Sequence, residues 1–115
     1  RGDLPHQLPG ALMALWLLTA ALLGAAPVAA QDAAAGRQKA QACAVCHGAD
    51  GIALHPEAPN LAGQSAAYIE LQLRHYRNGQ RQLPVMNVVA RPLTDDDIAN
   101  LAAWFASIRA EAQAR

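Results

Sequence analysis

A Cys-x-x-Cys-His segment constrains this chain more than any other feature of its sequence. The segment is Cys43-Ala44-Val45-Cys46-His47, and it holds the only 2 cysteines among 115 residues. Two thiols at this spacing reach the two vinyl groups on one edge of a porphyrin, and the adjacent imidazole then turns under the ring to meet the iron. The motif therefore predicts one covalently attached haem c, bound through Cys43 and Cys46, with His47 as an axial ligand of the iron.

Other sites also use two cysteines at this spacing. A thiol–disulfide redox motif normally sits where a strand enters a helix, and this sequence has no convincing strand pattern. A zinc site would need further ligands at suitable spacing, and His55 and His75 are scattered. A plain structural disulfide is the third alternative. These three alternatives to haem attachment remain open.

An uncharged apolar run covers residues 11–26 and is followed by Val28-Ala29-Ala30. A run of this kind ending in small residues is typical of a secretory signal peptide. We expect residues 1–30 to be a signal peptide cleaved after Ala30, and residues 31–115 to form one domain. The alternative is an uncleaved membrane anchor, although the run is short for a span of about 20 residues. Because haem is attached to this motif outside the cytoplasm, we expect a periplasmic protein.

The overall composition bounds the function. The formal net charge is +0, so nothing points to nucleic acid or to an anionic membrane surface. No acid–base pair or nucleophile constellation is visible, so we expect an electron-transfer protein with no catalytic residues of its own. Residues 31–115 are poor in aromatics, and a chain of this size builds a marginal core without help. A haem would supply a large apolar object for the interior.

Helix signals occur in three stretches and predict an all-α fold of three to four short helices around the haem. The segment 33–44 is capped by Asp32, 65–78 begins at Ser65 and stops at Gly79, and 94–110 opens with Thr94 and Asp97 as a capping pair. Gly36 lies inside the first helix. It indicates either a close contact between helices or simple tolerance of one glycine.

The segment 80–93 reads as irregular, with Pro84 and Pro92 as helix breakers. It holds Met86, the only methionine in residues 31–115. A thioether is a soft ligand that suits haem iron, and Met86 lies on no helical apolar stripe. We therefore expect Met86 to be the sixth ligand. His55, His75 and an open iron site are the alternatives.

From these motifs the chain resembles the class I c-type cytochromes, and among them the small bacterial periplasmic monohaem carriers. The resemblance covers about residues 34–108. It implies that the carbonyl of Pro59 accepts a hydrogen bond from His47, that Met86 is the distal ligand, and that a final helix carrying Trp104 crosses the first.

Arginines cluster late in the chain, and each is either part of a solvated helix face or a partner of the haem propionates. Arg77 and Arg81 are the better propionate candidates. The function expected is one-electron transfer between redox partner proteins, among them a membrane-bound oxidase or reductase, with a soluble mature form. The alternatives are a haem subunit of a larger oxidoreductase complex and a haem-based ligand sensor.

Overall fold

The computed structural model describes residues 2–3 and 31–109. The apolar run 11–26 of the expected signal peptide and its cleavage site after Ala30 lie outside the described residues. Among the residues that are described, no helix combines the length and the apolar character that crossing a membrane requires.

The described part of the chain is helical and contains no strand, which confirms the all-α prediction. The elements follow one another as α1 (Ala33–Lys39), a 3₁₀ turn (Ala40–Cys43), α2 (Ala44–His47), α3 (Ala66–Asn78), α4 (Pro84–Ala90) and α5 (Asp95–Ser107).

The predicted helix starts and the predicted stop at Gly79 are present, whereas the helix expected over 94–110 ends at Ser107 because Ile108 is extended. Asp32 caps α1 by accepting hydrogen bonds from the backbone amides that follow it, and Ser65 caps α3 by accepting one from Tyr68 N. Gly79 ends α3 in the left-handed conformation, with φ of 83°. Thr94 and Asp97 form a reciprocal capping box at the start of α5. The expected single helix over 33–44 differs, because the chain tightens into the 3₁₀ turn at Ala40.

The first and last helices cross at Gly36. A Cβ at this position would overlap the backbone carbonyl of Asn100 and press on Cβ of Trp104. The amide of Asp32 also donates to Oδ1 of Asn100 at 2.8 Å. Of the two interpretations of Gly36, close helix contact is the one that the structure supports.

A small core lies between these helices. Its buried members come from the 3₁₀ turn, α3 and α5, and they are Ala40, Ile69, Leu101, Ala102 and Phe105. Leu73 of α3 packs against them, and Tyr76 is also buried, so Ile69, Leu73 and Tyr76 form an apolar stripe of α3 that faces inward. The largest side chains that are fully buried are only Ile98 and Leu101. The protein interior is thus modest, as the composition indicated.

The expectation of an irregular segment over 80–93 is wrong in its middle, because α4 occupies Pro84–Ala90. Pro84 occupies the first turn of this helix. The missing amide of a proline costs nothing in the first turn, where no intrahelical partner exists, and its fixed φ suits a helix. Pro84 therefore begins a helix rather than breaking one.

Candidate functional site

The two cysteines flank the junction between the 3₁₀ turn and α2. Both are partly buried free thiols, so the structure gives no support to a disulfide between Cys43 and Cys46. Burial raises the pKa of the Cys43 thiol. A thiol–disulfide redox motif depends on a lowered pKa at its attacking cysteine, so this environment argues against that alternative. Two free thiols at this spacing, one of them packed against the apolar core, suit thioether attachment to a haem edge.

His47 is the last residue of α2 and is buried, with 8% of its surface exposed. Its Nδ1 lies 2.8 Å from the carbonyl oxygen of Pro59. A carbonyl only accepts, so Nδ1 carries the proton and Nε2 keeps its lone pair. This is the arrangement by which a second-shell acceptor fixes the tautomer of a metal-binding histidine. The contact that the family resemblance implied between His47 and Pro59 is therefore present.

We call residues 48–63 the proximal loop, because it returns Pro59 to His47. Backbone hydrogen bonds hold it at both ends. The Cys46 carbonyl accepts from Leu54 N at 2.9 Å and from His55 N at 3.2 Å, which ties the loop to the cysteine motif. The Gly51 carbonyl accepts from Leu61 N at 2.8 Å and from Ala62 N at 3.1 Å, which closes the loop on itself.

Two further contacts fix the position of the Pro59 carbonyl. Oδ1 of Asn60 accepts from Ala53 N at 2.7 Å, across the loop from its own backbone. Gly63 N donates to the Phe105 carbonyl at 3.0 Å and so anchors the end of the loop on α5. No sequence motif indicates that Asn60 closes the loop in this way. Its position directly after Pro59 was the one available signal of this role.

Met86 lies in the first turn of α4 and is half-buried. The residue after it, Asn87, directs its side-chain amide back to the chain that precedes the helix. Its Oδ1 accepts from Leu83 N at 2.9 Å, and its Nδ2 donates to the carbonyls of Tyr76 and Arg81, each at 2.8 Å. The sequence offered no signal for this network, because its acceptors are backbone atoms.

The two candidate propionate ligands, Arg77 and Arg81, form hydrogen bonds with other protein groups. Arg77 donates to the Leu93 carbonyl at 2.9 Å and to Asp95 at 2.6 Å, and so joins α3 to the start of α5. Arg81 donates to Gln72 at 2.6 Å, and its guanidinium lies 4.8 Å from the ring centroid of Tyr76. Propionate binding by Arg77 and Arg81 stays a prediction.

The other two histidine candidates differ in exposure. His55 is exposed on the proximal loop, whereas His75 is half-buried on α3. Within residues 2–3 and 31–109, no three or more His, Cys, Asp or Glu side chains cluster in a way that could hold a metal ion. The zinc alternative thus finds no ligand set there.

The donor set fits haem c. It comprises two free thiols at the attachment spacing, one buried imidazole whose Nδ1 is already bonded, and one thioether on a short helix. Large apolar side chains are also exposed on the motif, the proximal loop and the approach to α4: Val45, Leu54, Leu83 and Val85. Such exposure in a small chain is explained if a large apolar group or a partner covers part of it.

Comparison with known proteins points to one family. The family model described as "Cytochrome C oxidase, cbb3-type, subunit III" matches residues 29–105. Cytochrome c-554(548) of Halomonas halodenitrificans is 48% identical over 81 residues, which cover 68% of this chain and 98% of that protein. Cytochrome c4 of Pseudomonas aeruginosa is 45% identical over 96 residues, which cover 84% of this chain and 47% of that one.

A solved structure gives the same picture. The crystal structure of reduced recombinant cytochrome c4 from Pseudomonas stutzeri aligns with a TM-score of 0.65 at 36% identity. The alignment covers 70% of this chain and 47% of that one. The chain thus spans about half the length of the cytochrome c4 relatives and nearly the whole of cytochrome c-554(548).

Proposed function

Because this chain belongs to the c-type cytochromes, which are electron-transfer proteins with covalently attached haem c, we propose that Cys43 and Cys46 bind one haem whose iron has His47 and Met86 as its axial ligands. The haem iron supplies the Fe(II)/Fe(III) couple. The chain's own residues hold the ligands in place so that one electron can enter and leave with little rearrangement.

The observation that carries this proposal is the hydrogen bond from His47 Nδ1 to the Pro59 carbonyl. It directs Nε2 away from the protein's own acceptors and leaves it free to bind a metal. An acceptor on Nδ1 also increases the basicity of the ring.

The exposed apolar residues beside the cysteines support the proposal that electrons are exchanged through this part of the protein surface. Val45, between the two cysteines, is 82% exposed, and Leu54, bonded through its amide to Cys46, is 75% exposed. Apolar side chains lose water at little cost, so a redox partner can approach closely here. We propose redox proteins of the periplasm as partners, including membrane-bound oxidases or reductases, with the chain exported by residues 1–30.

The test is the mass and visible spectrum of protein purified from the cell envelope. We expect a mass equal to residues 31–115 plus one haem, and a haem stain that survives denaturation. The double variant Cys43→Ser with Cys46→Ser should lose the stain, whereas Met86→Ala should retain it and bind added imidazole. An unmodified mass with two titratable thiols would contradict the haem assignment.

A second candidate is an electron-transfer subunit of a larger oxidoreductase. The description of the matching family model, which is that of an oxidase subunit, favours it. Size-exclusion chromatography of gently solubilised membranes and of the soluble fraction separates the two. A haem-stained band that runs only in a large membrane complex supports the subunit, and one that runs at the size of the free chain supports the carrier.

A further inference from the structure

The helix that carries Met86 has few means of holding itself in place. α4 has only 7 residues, and its N-cap residue, Leu83, makes no side-chain cap. A helix this short is unstable unless other parts of the protein fix it. Among the described helices it packs on α3. The position of the Met86 backbone therefore depends on what joins α4 to the end of α3.

Asn87 makes that connection with every polar atom of its side chain. Oδ1 accepts from Leu83 N at 2.9 Å, which ties the N-cap residue to the helix that it precedes. Both Nδ2 hydrogens are used, one on the Tyr76 carbonyl and one on the Arg81 carbonyl, at 2.8 Å each. One amide thus joins three backbone segments: the last turns of α3, the connection 79–83 and the first turn of α4.

The connection itself is anchored at the same corner. Arg81 N donates to the His75 carbonyl at 3.1 Å, and the Arg81 guanidinium covers the ring of the buried Tyr76. The atoms to which Asn87 bonds are therefore fixed to α3. A rigid anchor on α3 transmits its position through Asn87 to the adjacent residue, Met86.

We propose that Asn87 is the positioning residue for Met86, and that it sets how firmly the thioether stays on the iron. This inference rests on the proposed assignment of Met86 as the sixth ligand. A methionine side chain has three rotatable bonds and adapts to its surroundings, so the precision of its sulfur must come from the backbone that carries it. Asn87 provides that precision because its bonds are saturated and half-buried.

The test compares Asn87→Leu and Asn87→Asp with a matched control, Asn78→Leu, in the haem-loaded ferric protein. Asn78 lies in the same corner, but its side chain forms hydrogen bonds only with Gln80 and none with α4. Two properties report on Met86: the long-wavelength Met–iron charge-transfer band, and the affinity of the iron for added imidazole, which must displace the thioether.

We expect Asn87→Leu to weaken or abolish the band and to raise the affinity for imidazole by about 10- to 100-fold, the range that follows from losing a partly buried network of three hydrogen bonds. Asn87→Asp keeps the acceptor for Leu83 N but places a carboxylate oxygen against the carbonyls of Tyr76 and Arg81, so it should also weaken the band and raise the affinity for imidazole. Asn78→Leu should match the wild type in both measurements.

Different results overturn different claims. If the wild type shows the band, Met86→Ala removes it, and both Asn87 variants keep wild-type band and imidazole affinity, Met86 is a ligand but Asn87 does not position it. If the wild type lacks the band and Met86→Ala changes nothing, the assignment of Met86 as ligand fails and this inference falls with it. A lower unfolding midpoint with unchanged ligation would show that Asn87 is merely structural.

Discussion

Gly36 lies directly against the backbone carbonyl of Asn100, at the point where α1 crosses α5. The same asparagine accepts the Asp32 amide through its side chain, so it contacts the start of α1 with both its backbone and its amide oxygen. The direction of α1 is thereby set by α5. Because the cysteine motif follows α1 within one short turn, this crossing also determines where the motif lies relative to the core.

Gly36→Ala should destabilise the protein. Alanine favours a helix over glycine by about 1 kcal/mol, but the added methyl group has no space and should cost about 1–3 kcal/mol through displacement of the helices. The net effect is a lower unfolding free energy, measured by urea denaturation of the haem-loaded protein. Gln38→Ala, at an exposed position of the same helix, should leave it nearly unchanged. A stabilised Gly36→Ala protein would show that the crossing has room.

Asn60→Ala should loosen the proximal loop at the Pro59 carbonyl. The Ala53 amide loses its acceptor, and its hydrogen exchange should accelerate. A weaker hydrogen bond to His47 makes the imidazole less basic and stabilises the ferric iron less. The reduction potential should therefore rise, by less than about 60 mV, which corresponds to less than a tenfold change in a one-electron equilibrium.

Spectroelectrochemical titration measures that shift, and Asn60→Asp is the matched control because it keeps an acceptor for the Ala53 amide. A fall in potential in Asn60→Ala, or an equal change in both variants, would contradict the proposed link between Asn60 and His47.

Lowering the pH should remove the stabilisation that Asp95 and Asp97 provide at the start of α5. The backbone hydrogen bond from Thr94 and the pairing with Lys39 lower the pKa of Asp97 from its usual 3.8. The hydrogen bond and charge of Arg77 lower the pKa of Asp95 from the same value. The unfolded chain then binds protons more readily than the folded one, so the stabilisation is complete above pH 3.8 and is lost as pH falls through the lowered folded values.

The matching measurement is the Tm of the wild type and of Asp97→Asn from neutral pH to about pH 3. The wild type should melt higher by a constant margin down to about pH 5, and the margin should shrink below about pH 4. Subtracting the two curves removes acid effects on the haem ligands, which both proteins share. A margin that grows on acidification would contradict the direction of the pKa shift.

Trp104 should tolerate phenylalanine but not alanine. Its Nε1 is buried and has no hydrogen-bond partner among the described residues, while Arg37 lies 5.4 Å from its ring centroid. Phenylalanine removes the unpaired donor and keeps an aromatic face, so the unfolding free energy should change by less than about 1 kcal/mol. Alanine should cost about 3 kcal/mol. Equal losses in both variants would mean that the indole N–H has a partner in the loaded protein.

The helix starts and the stop at Gly79 could be predicted from sequence because their causes are local. Ser65 and Gly79 bound α3, and Thr94 with Asp97 opens α5, through bonds between residues a few positions apart. Pro84 could not be placed in the same way. A proline either stops a helix or starts one, and only the packing of α4 against α3 decides between the two.

At the candidate site, too, local features could be predicted from the sequence and features that depend on the fold could not. The motif from Cys43 to His47 was visible because one short segment carries its chemistry, and Pro59 followed from the family resemblance. Asn60 and Asn87 were not visible, since an amide accepts and donates to whichever backbone atoms the fold places beside it. The bonds of Arg77 to Leu93 and Asp95 were not visible either, and its pairing with a haem propionate stays a prediction.

The histidine side and the methionine side of the proposed haem site are held in place by different kinds of contact. The proximal loop is held by paired amides on the Cys46 and Gly51 carbonyls and by the bond from Gly63 to Phe105 in the core, whereas the side-chain hydrogen bonds that join α4 to the preceding segments all come from Asn87. Local opening begins where the fewest bonds must break. On warming, the segment bearing Met86 should therefore unfold first. The histidine side and most of the helices should still be intact at that stage.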